Sequence, residues 1–76
     1  MEQYKKIFCD TFEISEEQLE GLTYQSIDAW DSVGHMNLIA ELEDAFDIMM
    51  ETDDIIDFNS FETGIEILKK YDVELV

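Results

Sequence analysis

Between Ser32 and Phe46 the residues Val33, Met36, Ile39, Leu42, Ala45 and Phe46 recur at helical spacing, with Leu38 widening the stripe. Such a run fits one face of an α-helix and not the two-residue alternation of a half-buried strand. Tyr4, Ile7, Phe8 and Phe12 repeat the pattern and predict a first helix from about Glu2 to Phe12. Thr52, followed by Asp53 and Asp54, marks the start of a short third helix reaching about Phe58. A fourth begins after Asn59 or Ser60, with Glu62 or Thr63 at the third position after the cap, and carries the stripe Phe61, Ile65, Leu68 and Tyr71. Val73 to Val76 are expected to be irregular. With no convincing alternation anywhere, the chain reads as an all-α fold, a small four-helix bundle.

From Glu13 to Asp31 no period is sustained, and Gly21 with several Ser, Thr and Asp residues marks a loop. Ile14, Leu19, Leu22 and Ile27 are expected to pin it to the core. Ser15-Glu16-Glu17-Gln18 has the pattern of a capping box and predicts one helical turn there. A loop this long in a small domain points towards function.

Seventy-six residues make a single domain, 1–76, that hides only about 60% of its unfolded surface. The hydrophobic fraction, 46%, is that of a folded domain despite a net charge of −16. Lys5, Lys6, Lys69 and Lys70 are the only basic side chains, so no cation stands between Ile7 and Leu68. Nucleic acid and anionic membranes are poor partners for such a surface, and basic protein patches are good ones. Cys9 is alone and has no disulfide partner within the chain. No apolar run is long enough to span a membrane, and the N-terminus lacks a secretory pattern, so a cytoplasmic location is expected. The Met1 start favours a discrete protein, and a monomer is expected.

Asp31-Ser32-Val33 follows Ser26-Ile27-Asp28-Ala29-Trp30 and opens the second helix, placing Ser32 as its cap or first residue. A helix start offers unpaired N–H groups and partial positive charge, which suit a phosphate on the Ser32 hydroxyl. The bland alternatives are a cap contributing about 0.5–2 kcal/mol for Ser32 and a dipole contribution of about 0.3–1 kcal/mol for Asp31.

The tripeptide resembles the Asp-Ser-Leu motif of acyl carrier proteins, with Val33 in place of leucine. Leu42-Glu43-Asp44-Ala45-Phe46 is similar to that family's Leu-Glu-Glu-x-Phe, and the long first loop and short third helix extend the likeness over nearly the whole chain. The proline often found before the family's third helix is missing from Met49-Met50-Glu51-Thr52. The resemblance implies a non-catalytic carrier with 4′-phosphopantetheine from coenzyme A on Ser32. A phosphopantetheinyl transferase, normally using magnesium, would load it and contact Asp31. Acyl groups would then be held as thioesters and delivered to the enzymes of fatty acid, polyketide or related biosynthesis. It also implies a partner face of Val33, Met36, Asn37, Ala40 and Glu41 for enzymes with basic docking patches. On spacing alone Met36 serves equally as core. An aminoacyl or peptidyl carrier of a nonribosomal pathway fits the same residues, as does an unmodified acidic interaction module in which Ser32 only caps.

His35 with Ser32 and Asp31 invites a Ser-His-Asp reading. All three would project from one helical turn with no Gly-x-Ser-x-Gly elbow, so hydrolysis is set aside and His35 is placed at the helix edge, near the arm or a partner. Gly34, costing about 1 kcal/mol within a helix, would give the transferase room. Leu38, Leu42, Phe46, Phe61, Ile65 and Leu68 are core candidates, with Met49 and Met50 as adaptable fillers. The acidic clusters do not match a calcium loop, and no metal site is expected beyond weak divalent binding to surface carboxylates that would screen like charges.

Overall fold

The computed structural model describes residues 1–73 and Leu75. Four helices form: α1 (Glu2–Phe12), α2 (Ser32–Phe46), α3 (Thr52–Asp57) and α4 (Phe61–Lys69), with a 3-10 turn at Glu16–Gln18 in the first loop. Among the described residues there is no strand, only an isolated antiparallel bridge between Thr23 and Ser60. The fold is all-α, and no described helix is long and apolar enough to cross a membrane. Of the ending expected to be irregular, Glu74 and Val76 lie outside the described residues.

The α1 stripe buries Tyr4, Phe8 and Phe12, and these rings organise the interior. Phe8 meets Trp30 at 5.5 Å and Phe61 at 5.1 Å between centroids, while Tyr4 lies 4.9 Å from Phe61. The Tyr4 hydroxyl, sealed from solvent, donates to the Phe61 carbonyl oxygen at 2.7 Å, and burial holds it far above the ordinary tyrosine pKa. Gly64 of α4 packs against that hydroxyl and the Phe58 ring, leaving no room for a Cβ.

The buried face of α2 differs from the expected stripe. Leu38, Ile39 and Leu42 are buried and Phe46 half-buried, whereas Val33 and Met36 are 71% and 55% exposed and Ala45 is exposed too. Two overlapping stripes have helical spacing in this run, and packing on α1 selects the one through His35, Leu38, Ile39, Leu42 and Phe46. In α4 the buried residues are Phe61, Gly64, Ile67 and Leu68. Ile65 is half-buried, and Tyr71, expected on this stripe, lies beyond the end of the helix. Met50 fills core as expected, but Met49 is exposed.

Ser60 caps α4, its Oγ accepting from the Thr63 amide at 2.9 Å. The cap of α3 is Glu51 rather than Thr52, and no side chain caps that end. Only Asp54 of α3 is buried, so polar contacts have much to do with holding this short helix. The Asp54 carboxylate accepts from Lys70 Nζ at 2.5 Å and from the Tyr71 hydroxyl, and Tyr71 Oη accepts from the Glu51 amide at 3.0 Å. The Lys70 ammonium foremost, then Tyr71, holds Asp54 below its ordinary carboxylate pKa.

Two helices stop on the same tripeptide pattern, Phe12-Glu13-Ile14 and Phe46-Asp47-Ile48. Glu13 and Asp47 take left-handed backbone at φ 55° and 54°. The Ile14 and Ile48 amides reach back to the carbonyls of Cys9 and Glu43, both at 3.1 Å, and each isoleucine packs on the core. The first loop is pinned as expected, with Leu19 and Leu22 buried and Ile14 and Ile27 packed against the core. Its Tyr24 amide donates to Asn59 O at 2.8 Å, and Leu22 O accepts from the Phe61 amide at 2.9 Å.

Candidate functional site

The first turn of α2 separates two roles that the sequence left joined. Asp31 is the N-cap: its Oδ1 accepts from the Gly34 amide at 2.8 Å and its carbonyl from the His35 amide at 2.8 Å. Ser32 is the first helical residue, and its exposed hydroxyl makes no capping bond. It instead lies 3.2 Å from the Tyr24 hydroxyl, and either oxygen can donate. The result is an accessible oxygen at the positive end of a fifteen-residue helix.

Beside Ser32 opens a largely apolar groove of about 350 Å³, lined by Tyr24 of the loop, Ser32, His35 and Met36 of α2, Ile55 and Ile56 of α3, and Phe58 just beyond it. Exposed Met36 and Ile56 leave apolar surface at its edge. The chain therefore presents a primary alcohol at the mouth of a cleft that an apolar chain can enter.

His35 joins the loop, α2 and α3 beside this groove. Trp30 Nε1–H donates to Nδ1 at 3.0 Å, and an indole nitrogen can only donate, so Nδ1 carries the lone pair. Nε2 then bears the proton and donates to Ile55 O at 2.8 Å. The ring stacks on Trp30 at 6.2 Å and meets Tyr24 edge-on at 5.6 Å. Neither nitrogen is bonded to Ser32 or Asp31, so the three residues do not assemble a triad.

Gly34 has a different reason from the one expected. A Cβ there would collide with the backbone carbonyl of Ala29, so the space is taken by the chain's own loop and gives no room to a partner. Val33, Met36, Asn37, Ala40 and Glu41 are all exposed. Met36 borders the groove towards α3, while Asn37, Ala40 and Glu41 border a shallow polar depression shared with Asp10 and Thr11 of α1.

Sequence reasoning missed Tyr24, Ile55 and Ile56. Tyr24 sits in an aperiodic loop and carries no local signal of where its hydroxyl goes, whereas adjacent Ile55 and Ile56 in a short helix could have been flagged as an apolar pair too large for one buried face. Cys9 is half-buried on α1, and burial, with the carboxylates of Glu16 and Asp10, pushes its thiol up, away from the reactive thiolate. Each of the four lysines lies within 4 Å of a carboxylate: Lys5 with Glu16, Lys6 with Asp10, Lys69 with Glu66 and Lys70 with Asp54. Among the described residues, no lysine pairs with the exposed face of α2.

No protein-family model matches this chain, and neither a curated protein nor a solved structure matches it.

Proposed function

We propose that this chain is a small four-helix carrier of the acyl carrier kind, cytoplasmic, modified on Ser32 and itself non-catalytic. The observation that carries the reading is the exposed Ser32 hydroxyl on the first turn of α2, free of capping duty and at the mouth of the apolar groove. The residues suit a phosphopantetheine group. The phosphate would sit on Ser32 at the helix start, where Asp31 engages the Gly34 and His35 amides and the first-turn amides of Ser32 and Val33 have no intrahelical acceptor. The groove would shelter the apolar part of an arm or its cargo.

Loading requires the Ser32 hydroxyl to attack the phosphorus that bears pantetheine in coenzyme A. The Oγ–P bond forms as the pyrophosphate P–O bond breaks, 3′-phosphoadenosine 5′-phosphate leaves, and the hydroxyl proton passes to a base of the transferase. When bound, the arm supplies a terminal thiol on a flexible tether, which holds an acyl group as a thioester at high effective concentration. This chain's part is to hold Ser32 on a rigid helix end and to present the acidic face of α2 to enzymes with basic patches.

Intact mass before and after incubation with coenzyme A, magnesium and a broad-specificity phosphopantetheinyl transferase tests the reading. The expected result is a gain of one phosphopantetheine group, absent in Ser32→Ala. No gain in a folded sample, with a control carrier loaded alongside, replaces the carrier with an unmodified acidic interaction module. Among loaded samples, charging by adenylation enzymes for amino acids assigns an aminoacyl carrier.

A further inference from the structure

Three walls of the Ser32 groove meet at one imidazole. From the loop, buried Trp30 donates to His35 Nδ1; from α3, Ile55 O accepts from Nε2; and the Tyr24 ring rests edge-on against it while its hydroxyl reaches Ser32. We propose that His35 is the positioning residue of the Ser32 site, whose neutral Nε2–H form holds the loop against α3 and whose protonation releases the loop side. Its bearing on a loaded arm rests on the carrier reading.

The asymmetry follows from donor and acceptor chemistry. A proton added at Nδ1 faces the Trp30 N–H, so two donors oppose each other and the buried indole loses its acceptor. The bond from Nε2–H to Ile55 O survives and is strengthened by the charge. Acid therefore loosens the loop wall, with Trp30 and the Tyr24 ring packed 6.4 Å from it, and leaves α3 attached. Among the titratable groups of the surrounding elements, Tyr24 is in ring contact and Asp28 of the Trp30 loop is exposed. Asp31 on the helix end is bonded to the Gly34 amide, Asp54 on α3 is turned to Lys70 and Tyr71, and Asp53 and Asp57 are exposed.

Nitrogen-15 NMR of the imidazole and of the Trp30 indole in the full, unmodified chain, from pH 8 to 5, tests this. At pH 8 the expected form has a bare Nδ1 and a protonated Nε2. Across the imidazole titration the Trp30 N–H signal should move with the same midpoint, and its protection, the intrinsic solvent exchange rate at each pH relative to the observed rate, should fall about tenfold, the equilibrium factor of one net hydrogen bond. In His35→Gln, whose amide can still donate and accept but does not titrate, the signal position and this protection should both be independent of pH. An Nδ1–H tautomer at pH 8, a ring that stays neutral to pH 5, or a Trp30 signal unmoved while the ring charges overturns the proposal. These readouts need no loading, so failure of Ser32 to accept an arm would sink the carrier reading and leave this result standing. With loading established, the wild-type to His35→Gln rate ratio should fall as pH drops, each pH normalised to a control carrier; a constant ratio removes His35 from the site.

Discussion

Gly34 abuts the carbonyl oxygen of Ala29 so closely that no Cβ fits between them. In a helix interior an alanine ordinarily gains about 1 kcal/mol over glycine. Here the obstacle is backbone and cannot rotate aside, and overpacking of this kind costs about 1–3 kcal/mol. Gly34→Ala should therefore lower the urea midpoint and shift the Trp30 emission. A midpoint raised by the substitution would mean that the loop yields freely at Ala29.

Asp31 and Ser32 should separate cleanly in stability measurements. Asp31→Ala removes the side-chain cap of α2 and should cost about 0.5–2 kcal/mol in urea unfolding. Ser32→Ala removes an exposed hydroxyl with no capping bond and should stay within about 0.5 kcal/mol of wild type. Equal losses in the two would return Ser32 to the role of a cap.

Asp54 makes the hold of α4 on α3 sensitive to acid. Its pKa is lowered in the folded state, so the stability it contributes is fully present above the unfolded value of about 4 and lost as pH falls through the folded one. Asp54→Asn should be less stable than wild type at pH 7, with the gap closing below pH ~4. Lys70, raised by the same carboxylate, should add an alkaline loss above its ordinary value of about 10.4. A gap that is constant with pH would mean that Asp54 acts by shape and not by charge.

Glu41 tests whether the open face of α2 meets partners electrostatically. Glu41→Lys should slow acyl transfer to a partner enzyme by about 2–10-fold at low salt, with the difference shrinking as salt is added. Rates unchanged across several partners would place the docking surface elsewhere.

The helices were legible because their apolar spacing is a local property, and the bounds of α1 and α2 could be read directly. Which side of α2 faces inward was not, because Val33 and Met36 satisfy helical spacing as well as Leu38 and Ile39 do; contact with α1 decides, and that is a long-range fact. Ser32 was legible through a short motif at a helix start. The groove beside it was not, since it joins Tyr24, His35 and Ile55 across the loop, α2 and α3, and no pattern within any one of these announces the others. Gly34 shows the same limit: its presence could be noticed, but the Ala29 carbonyl that requires it could not.

The paired stops at Glu13 and Asp47 bear on how the chain folds. Neither position has the glycine that would turn the backbone without help, and an acidic residue at a helix C-terminus opposes the helix dipole. What secures each turn is the docking of Ile14 or Ile48, which happens only once the interior exists. The lengths of α1 and α2 are thus conditional on tertiary structure: in an early, uncollapsed chain their ends would fray or run on, and helix boundary and core are completed in a single cooperative step.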